Sequence, residues 1–253
     1  MSDENTAANK KHFDALASDY DTKYEKTIAQ LTKRIQERRD FIGSEWVEDE
    51  DEDEDEDDND NGKGEGGKTV KFLDYACGTG LLSRALAPYT TQCIGVDISE
   101  NMVGAYNQRA ENQGLTVDEM HAYSGNLLDP STPTPESLDD PLFHSFDLAA
   151  VGLGFHHFTD PDFAARRLAE RLRPGGVLFI VDFFSHAGHA DSGHAGVAHH
   201  GFSEERVREI FEGAGVGKGF AIEEMGSGVV FHNVKEDGKT MERRVFIARG
   251  EKV

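Results

Sequence analysis

Cysteine is scarce: Cys77 and Cys93 are the only two in 253 residues. They build neither a disulfide framework nor a metal-ligand spacing, and both read as small packing residues near strand ends in a reduced compartment. Long apolar runs are missing and the first residues are polar, so neither a transmembrane helix nor a secretory signal is expected. Basic excess is absent as well. The chain has 26 Lys and Arg against 48 Asp and Glu, a net charge of −22, which leaves no basic footprint for DNA or RNA. These absences predict a soluble protein of the cytoplasm or nucleus with neither nucleic acid nor membrane among its partners.

The acids are unevenly spread. Residues Glu48 to Asp60 hold twelve acids in thirteen positions, and a glycine-rich run, Asn61 to Gly67, follows. Neither composition supports a packed core. The expected organisation is an N-terminal helical lid over residues 1–47, an acidic and Gly-rich disordered insertion over 48–68, and a folded core over 69–253. Without those twelve charges the net charge is −10, so the remaining fold is still acidic. The tract reads first as a solvated spacer, because an insertion between elements costs little closure entropy, and second as a docking segment for a basic protein partner. Nothing in the sequence fixes an oligomeric state.

The most informative residues are Phe72-Leu73-Asp74-Tyr75-Ala76-Cys77-Gly78-Thr79-Gly80. An apolar run ending in an acid and then Gly-x-Gly is a buried strand turning tightly beneath a nucleotide-like ligand, with a helix starting at Leu81. The stretch Thr91 to Ser99 holds a second short β run ending in an acid, Asp97, about twenty residues further on, where a ribose-binding carboxylate is expected. Ser99 beside it is a natural cap for a helix from Glu100. The third glycine of the dinucleotide fingerprint is absent, since Leu81, Leu82 and Ser83 follow Gly80, and no pyrophosphate cradle is indicated. Strands near Val70, Cys93, Met120, Leu148, Phe179, Ile222 and Val245 alternate with helices from Gly80, Ser99, Pro161 and Ser203, which is an α/β pattern with a mostly parallel sheet.

In this order, Asp74 to Gly80, Val96 to Met102, Gly125-Asn126-Leu127-Leu128-Asp129, Phe146 to Val151, and Leu172-Arg173-Pro174-Gly175-Gly176-Val177-Leu178 resemble the successive motifs of the class I S-adenosylmethionine-dependent methyltransferases, in particular the small-molecule branch. The resemblance runs from about Phe13 to Ala248. It implies a Rossmann-like fold of seven strands in the order 3-2-1-4-5-7-6, the last one reversed, with helices on both faces. It also implies that S-adenosyl-L-methionine is held by Asp74, Ala76, Gly78 and Gly80 at the first turn, by Asp97, Ile98 and Met102 at the second, and by Asn126 and Leu127 at the adenine loop. Tyr20, on the segment that resembles the family's closing element, is expected at the methionyl end. Two positions depart from the family pattern. Ala76 stands where glycine is usual, and is small enough for close approach if its φ stays negative; Asn126 stands where aspartate is usual, and its oxygen is expected to accept the adenine amino proton.

After the fourth strand come Gly154-Phe155-His156-His157-Phe158. Ligands of open α/β sheets bind outside the carboxyl ends of the strands, so His156 and His157 are the candidate catalytic residues, either one able to take a proton from a hydroxyl, thiol or amine. Packing or capping is the competing reading. The absence of an Asn/Asp-Pro-Pro-Tyr/Phe motif here argues against methyltransferases that act on amide or exocyclic nitrogens through it. A second group, His186, His189, His194, His199 and His200, is broken by glycines and joined by no cysteine, so no metal site is expected. His200 and Phe202 are instead expected to line the acceptor pocket, ahead of a helix capped by Ser203. On α-helical spacing, Tyr24, Ile28, Leu31 and Ile35 form the apolar face of a lid helix and read as packing. The function expected is methyl transfer to O, N or S of a small molecule. The alternatives are methylation of a basic protein recruited by the acidic tract, and a non-catalytic cofactor-binding scaffold.

Overall fold

The computed structural model describes residues 2–47, 68–132, 135–185, 196–226, 229–231 and 241–253. The acidic and Gly-rich stretch over 48–67, together with His186, His189 and His194, lies outside the described residues.

Five strands run parallel: β1 (Lys71–Tyr75), β2 (Gln92–Asp97), β3 (Met120–Ser124), β4 (Phe146–Gly152) and β5 (Leu172–Phe183). Two more complete the sheet, β6 (Lys218–Glu224) and a final strand, Val245–Glu251, which pairs antiparallel with both β5 and β6. Between them lies a short hairpin, β7 (Val229–Phe231) and β8 (Met241–Arg243), so the final strand is β9 and the seven-stranded order is 3-2-1-4-5-9-6. This is the family order with one hairpin inserted before the reversed strand. The central strands are buried on both faces, which is why β1, β2 and β4 read as nearly unbroken apolar runs. The Arg173-Pro174-Gly175-Gly176 stretch, expected as a turn, forms an irregularity within β5: Phe146 pairs with Leu172 and Leu148 already with Val177.

Helices cover both faces. On one side α6 (Pro161–Arg171) and α7 (Glu204–Gly213) bury Ala165, Leu168, Val207 and Phe211 against Leu73, Ile94, Ala149 and Leu178. On the other, α4 (Leu81–Leu86) and α5 (Glu100–Asn112) bury Leu82, Leu86 and Tyr106 against Phe72, Ala150 and Phe179, and Phe72 stacks on Phe179 with ring centroids 5.9 Å apart. Side-chain caps fix the helix starts, because the first N–H groups of a helix lack internal partners. Ser99 Oγ accepts the Met102 N–H at 3.1 Å, Asp160 Oδ1 the Phe163 N–H at 2.8 Å, and Ser203 Oγ the Arg206 N–H at 3.2 Å.

The N-terminal segment forms α1 (Ser2–Leu16), α2 (Tyr20–Gln36) and the single turn α3 (Arg39–Ile42). Leu31, Ile35 and Ile42 join the second core cluster. Polar clamps hold the first two helices over the carboxyl ends of the strands. Asp14 of α1 accepts from Ser99 Oγ at 2.6 Å and from the Asn101 N–H, and Asp21 of α2 accepts from Thr79 Oγ1 at 2.6 Å and pairs with Arg84 and Arg109. No described helix is long and apolar enough to cross a membrane. Cys77 and Cys93 are free and buried.

Candidate functional site

The carboxyl ends of β1, β2, β4 and β5 and the inner faces of α1 and α2 enclose a cavity of about 540 Å³. That is within the size range of sites that take a cofactor or small molecule. Its walls include Tyr20, Ala76, Gly78, Asp97, Ile98, Met102, Asn126, His156 and His157. Sequence reasoning selected all nine.

Asp97 organises the end of the cavity nearest the glycine turn. The last residue of β2, it is 8% exposed; its Oδ2 accepts the Gly78 N–H and its Oδ1 the Ser99 N–H, each at 2.8 Å. Burial pushes its carboxyl up in pKa, and the backbone donors pull the other way. Each oxygen keeps a second lone pair for a ligand hydroxyl. Gly78 has a φ of +52°, and a Cβ built on it would meet nothing within 4 Å. That empty space at the cavity wall is what close approach of a ligand to the backbone requires, and it fits a nucleoside cofactor.

Three expected cofactor contacts sit behind the wall. Asp74 is 1% exposed, and its Oδ2 accepts from the Ser83 N–H at 3.0 Å and Ser83 Oγ at 2.7 Å, fixing the start of α4. Gly80, with φ +90°, lies under the Tyr106 ring, where a Cβ would come within 2.9 Å of ring carbons. Leu127 is buried in the core, and its N–H is taken up by Tyr75 Oη at 3.1 Å.

Ala76 and Asn126 both differ from expectation. The φ of Ala76 is +55°, so it adopts the left-handed conformation that glycine takes without strain, and its Cβ lies 3.1 Å from where one would project from Gly154. Leu153, at the end of β4, has the same φ of +55°. Two strained residues thus sit side by side at the ends of adjacent strands, where functional sites commonly store strain. In Asn126, Oδ1 accepts the Leu128 N–H at 2.8 Å and faces Tyr75 Oη at 3.3 Å. Its oxygen is therefore engaged within the loop, and among the described residues no hydrogen bond engages the amide NH₂.

His156 and His157 occupy one 3-10 turn, Phe155–His157, with ring centroids 4.3 Å apart. The His157 Nδ1 bonds Gly196 O at 3.1 Å, its carbonyl accepts from Asn5 Nδ2 at 3.0 Å, and the Phe13 ring meets it edge-on. Burial, then the neighbouring His156, pulls His157 down to about 4 in pKa. Tyr20 lies beside Tyr24 with centroids 4.8 Å apart, and burial raises its phenol, which keeps it a donor.

His200 and Phe202 do not line the cavity. Phe202 is 4% exposed and packs on Phe155, and His200 is at the surface. The β-bridge between Phe184 and Phe202 turns that segment into a brace for the end of β5. On the α1 face sequence reasoning reached only the closing segment that starts at Phe13 and missed Asn5 and Asn9, and it missed Asp182, although Asp182 carries the same signal as Asp74 and Asp97, an apolar strand ending in an acid. No group of three or more metal-ligating side chains occurs among the described residues.

Asp74 makes the fold sensitive to pH. Burial pushes its carboxyl up to about 7, while the Ser83 bonds pull the other way. A raised folded-state pKa means that the fold favours the protonated form. Its contribution is complete below the unfolded carboxyl's pKa of about 3.9 and is lost as pH rises through the folded value. The ligand-free protein should lose about 1 kcal/mol of stability between about pH 6 and 8, and Asp74→Asn, which keeps an acceptor for Ser83, should remove that loss. Urea unfolding at the two pH values measures it; the same slope in the variant assigns the effect to another group.

A seven-stranded sheet in this order, with its last strand reversed and a cavity over the ends of β1, β2, β4 and β5, defines a Rossmann-like class I methyltransferase architecture. Comparison with known proteins agrees. A methyltransferase-domain family model matches residues 73–180. An uncharacterized methyltransferase of Schizosaccharomyces pombe is 30% identical over 199 residues, 73% of this chain and 67% of that protein. The chain belongs to the S-adenosylmethionine-dependent methyltransferases, and S-adenosylmethionine is its cofactor. A ubiquinone biosynthesis O-methyltransferase of Idiomarina loihiensis is 36% identical over 111 residues, 44% of this chain and 41% of that enzyme, so the match spans about two fifths of the relative. A Haloferax volcanii structure, a methyltransferase with its Trm112 activator, shares the fold with a TM-score of 0.63 and 19% identity over 94% of this chain and 96% of the matched one.

Proposed function

We propose that the protein transfers a methyl group from S-adenosylmethionine to a small molecule whose apolar body lies beneath α2. One observation carries this reading: the cavity continues past the glycine turn into a space walled by Tyr24, Thr27, Ile28 and Leu31 of α2 and by Leu81, Leu153 and Phe183. Residues at 24, 27, 28 and 31 share one helix face. The spacing alone reads as core packing, and Leu31 does join the core, but Tyr24 and Ile28 are only half-buried and border open volume.

The division of labour follows from the lining. Gly78, Asp97, Met102 and Asn126 would hold the nucleoside portion of the cofactor, and the buried Tyr20 phenol supplies a donor at the junction. When bound, S-adenosylmethionine supplies an electrophilic methyl group on a sulfonium sulfur. Tyr24, Ile28, Leu31 and Phe183 exclude water and orient an apolar acceptor, and His156 and His157 face the same cavity. Positioning of this kind is the main requirement of methyl transfer. The ubiquinone biosynthesis relatives support a small-molecule acceptor, since an O-methyltransferase of that biosynthesis is what their name describes.

The test is S-adenosylhomocysteine release from a panel of apolar phenols, catechols and thiols, with a basic histone-tail peptide alongside. Turnover of a small acceptor is the expected result. Ile28→Trp, which fills the space under α2, should raise that acceptor's KM by about tenfold or more and change cofactor affinity little. Methylation of the basic peptide alone, lost on deletion of residues 48–60, overturns the reading in favour of a protein substrate. Cofactor binding with no transfer to any acceptor favours a scaffold.

A further inference from the structure

The two neighbouring histidines are held differently. The His156 backbone N–H donates to Asp182 Oδ2 at 3.0 Å, and its ring Nδ1 lies 2.8 Å from Asp182 Oδ1. Asp182, the penultimate residue of β5, is fully buried, and its Oδ1 also accepts the Phe183 N–H at 2.7 Å. The His156 carbonyl accepts the N–H groups of Ala198 and His199 at 3.0 Å each. Its ring lies between those of His157, at 4.3 Å, and Phe183, at 5.0 Å. The carboxylate only accepts, so Nδ1 is the donor, and in the neutral ring the lone pair lies on Nε2. Among the described residues nothing bonds Nε2, it is not sealed from solvent, and the residue lines the cavity.

His157 has a different environment. Its Nδ1 faces a carbonyl rather than a carboxylate, and burial, then the neighbouring His156, pulls its pKa down to about 4 against the weaker opposing pull of Gly196 O and Asp182. It suits a neutral wall or a hydrogen-bond acceptor.

We infer that His156 is the general base, that Asp182 is the residue that positions it, and that the methyl group is transferred to a hydroxyl oxygen. The inference rests on the methyltransferase reading of the cavity and specifies the acceptor atom. A thiol ionises near neutrality without help, whereas a hydroxyl arrives protonated and gains most from a base. An ammonium acceptor would need an anion beside it. The carboxylates of the described lining are Asp97, assigned to the nucleoside, and Asp160, which caps α6 through the Phe163 N–H. In the step, the acceptor's O–H bond breaks toward His156 Nε2 and the oxygen forms its bond to the methyl carbon. The carbon–sulfur bond breaks with its electron pair remaining on sulfur, and the imidazolium is held by Asp182 until its proton passes to water.

Catechol and thiophenol serve as probes, with S-adenosylhomocysteine formation as the readout. Asp182→Asn should lower kcat on catechol by about a hundredfold, with little change in the KM for S-adenosylmethionine. On thiophenol, already a thiolate at neutral pH, the loss should be no more than about tenfold. Free imidazole should restore oxygen methylation to His156→Ala, which a merely structural clip between the 3-10 turn and β5 could not do. Equal losses on both probes, or no rescue in a variant that still binds the cofactor, overturn the inference. So does a wild-type chain that binds S-adenosylmethionine and methylates no oxygen, a result that leaves the methyltransferase reading intact. Failure of the wild type to bind the cofactor removes that reading itself.

Discussion

Replacing Asp97 with alanine should weaken S-adenosylmethionine binding by about a hundredfold, close to 3 kcal/mol, the worth of a charge-assisted contact together with the order it imposes on its surroundings. The carboxylate does two jobs. It offers a lone pair on each oxygen to the cavity, and it ties the Gly78 and Ser99 N–H groups at 2.8 Å, which sets the relative position of the glycine turn and the α5 cap. Alanine removes the ligand contact and frees both backbone donors. Asp97→Asn separates the jobs, because an amide oxygen satisfies one N–H and leaves the other facing an NH₂ group. It should therefore bind the cofactor with an affinity between those of wild type and the alanine variant. Calorimetric titration with S-adenosylmethionine and with S-adenosylhomocysteine measures both. Unchanged affinity in Asp97→Ala would move the nucleoside to another part of the cavity.

Much of this site was legible because parallel strands buried on both faces must be apolar, and an acid at the end of such a run breaks the pattern. Asp74, Asp97 and Asp182 all carry that mark. What the pattern does not give is the direction of each side chain. Asp97 faces the cavity, Asp74 turns back onto Ser83, and Asp182 reaches sideways to the turn after β4. The sheet order came from resemblance, and the three-residue strands β7 and β8 are too short to leave a periodic trace. Helix α1 is largely polar and has no apolar stripe of its own; it is held by Asp14 to Ser99 and by Asn5 to His157, contacts that bridge 85 and 152 residues of chain. On α2, Tyr24, Ile28 and Leu31 share one helical spacing, although Leu31 meets the core and Tyr24 and Ile28 meet a pocket. Only the absence of a facing side chain distinguishes the two cases, and that is a property of the assembled fold. The positive φ of Ala76 was hidden for the same reason. Its residue type argues for a negative φ, and the tight turn out of β1 overrides it.

The two glycines of the first turn should fail in different ways when each is replaced by alanine. Both have positive φ, +52° at Gly78 and +90° at Gly80, so each substitution carries a left-handed strain of about 1 to 2 kcal/mol. At Gly80 the new methyl also meets the Tyr106 ring at 2.9 Å. Tyr106 is 1% exposed and packed in the second core cluster, so its ring can move only by displacing its neighbours. Overpacking of this kind adds about 1 to 3 kcal/mol, so Gly80→Ala should lose about 2 to 5 kcal/mol of stability in all. At Gly78 no atom lies within 4 Å, and the methyl enters the cavity instead. Gly78→Ala should therefore stay within about 2 kcal/mol of wild-type stability yet lose at least about tenfold in cofactor affinity, because the ligand is expected to approach the backbone there. Urea unfolding paired with calorimetric titration reads both variants. If Gly78→Ala kept wild-type affinity, the open space beside it would belong to the acceptor or to solvent. If Gly80→Ala were as stable as wild type, Tyr106 could shift, and the packing account of that glycine would give way to a direct role in the site.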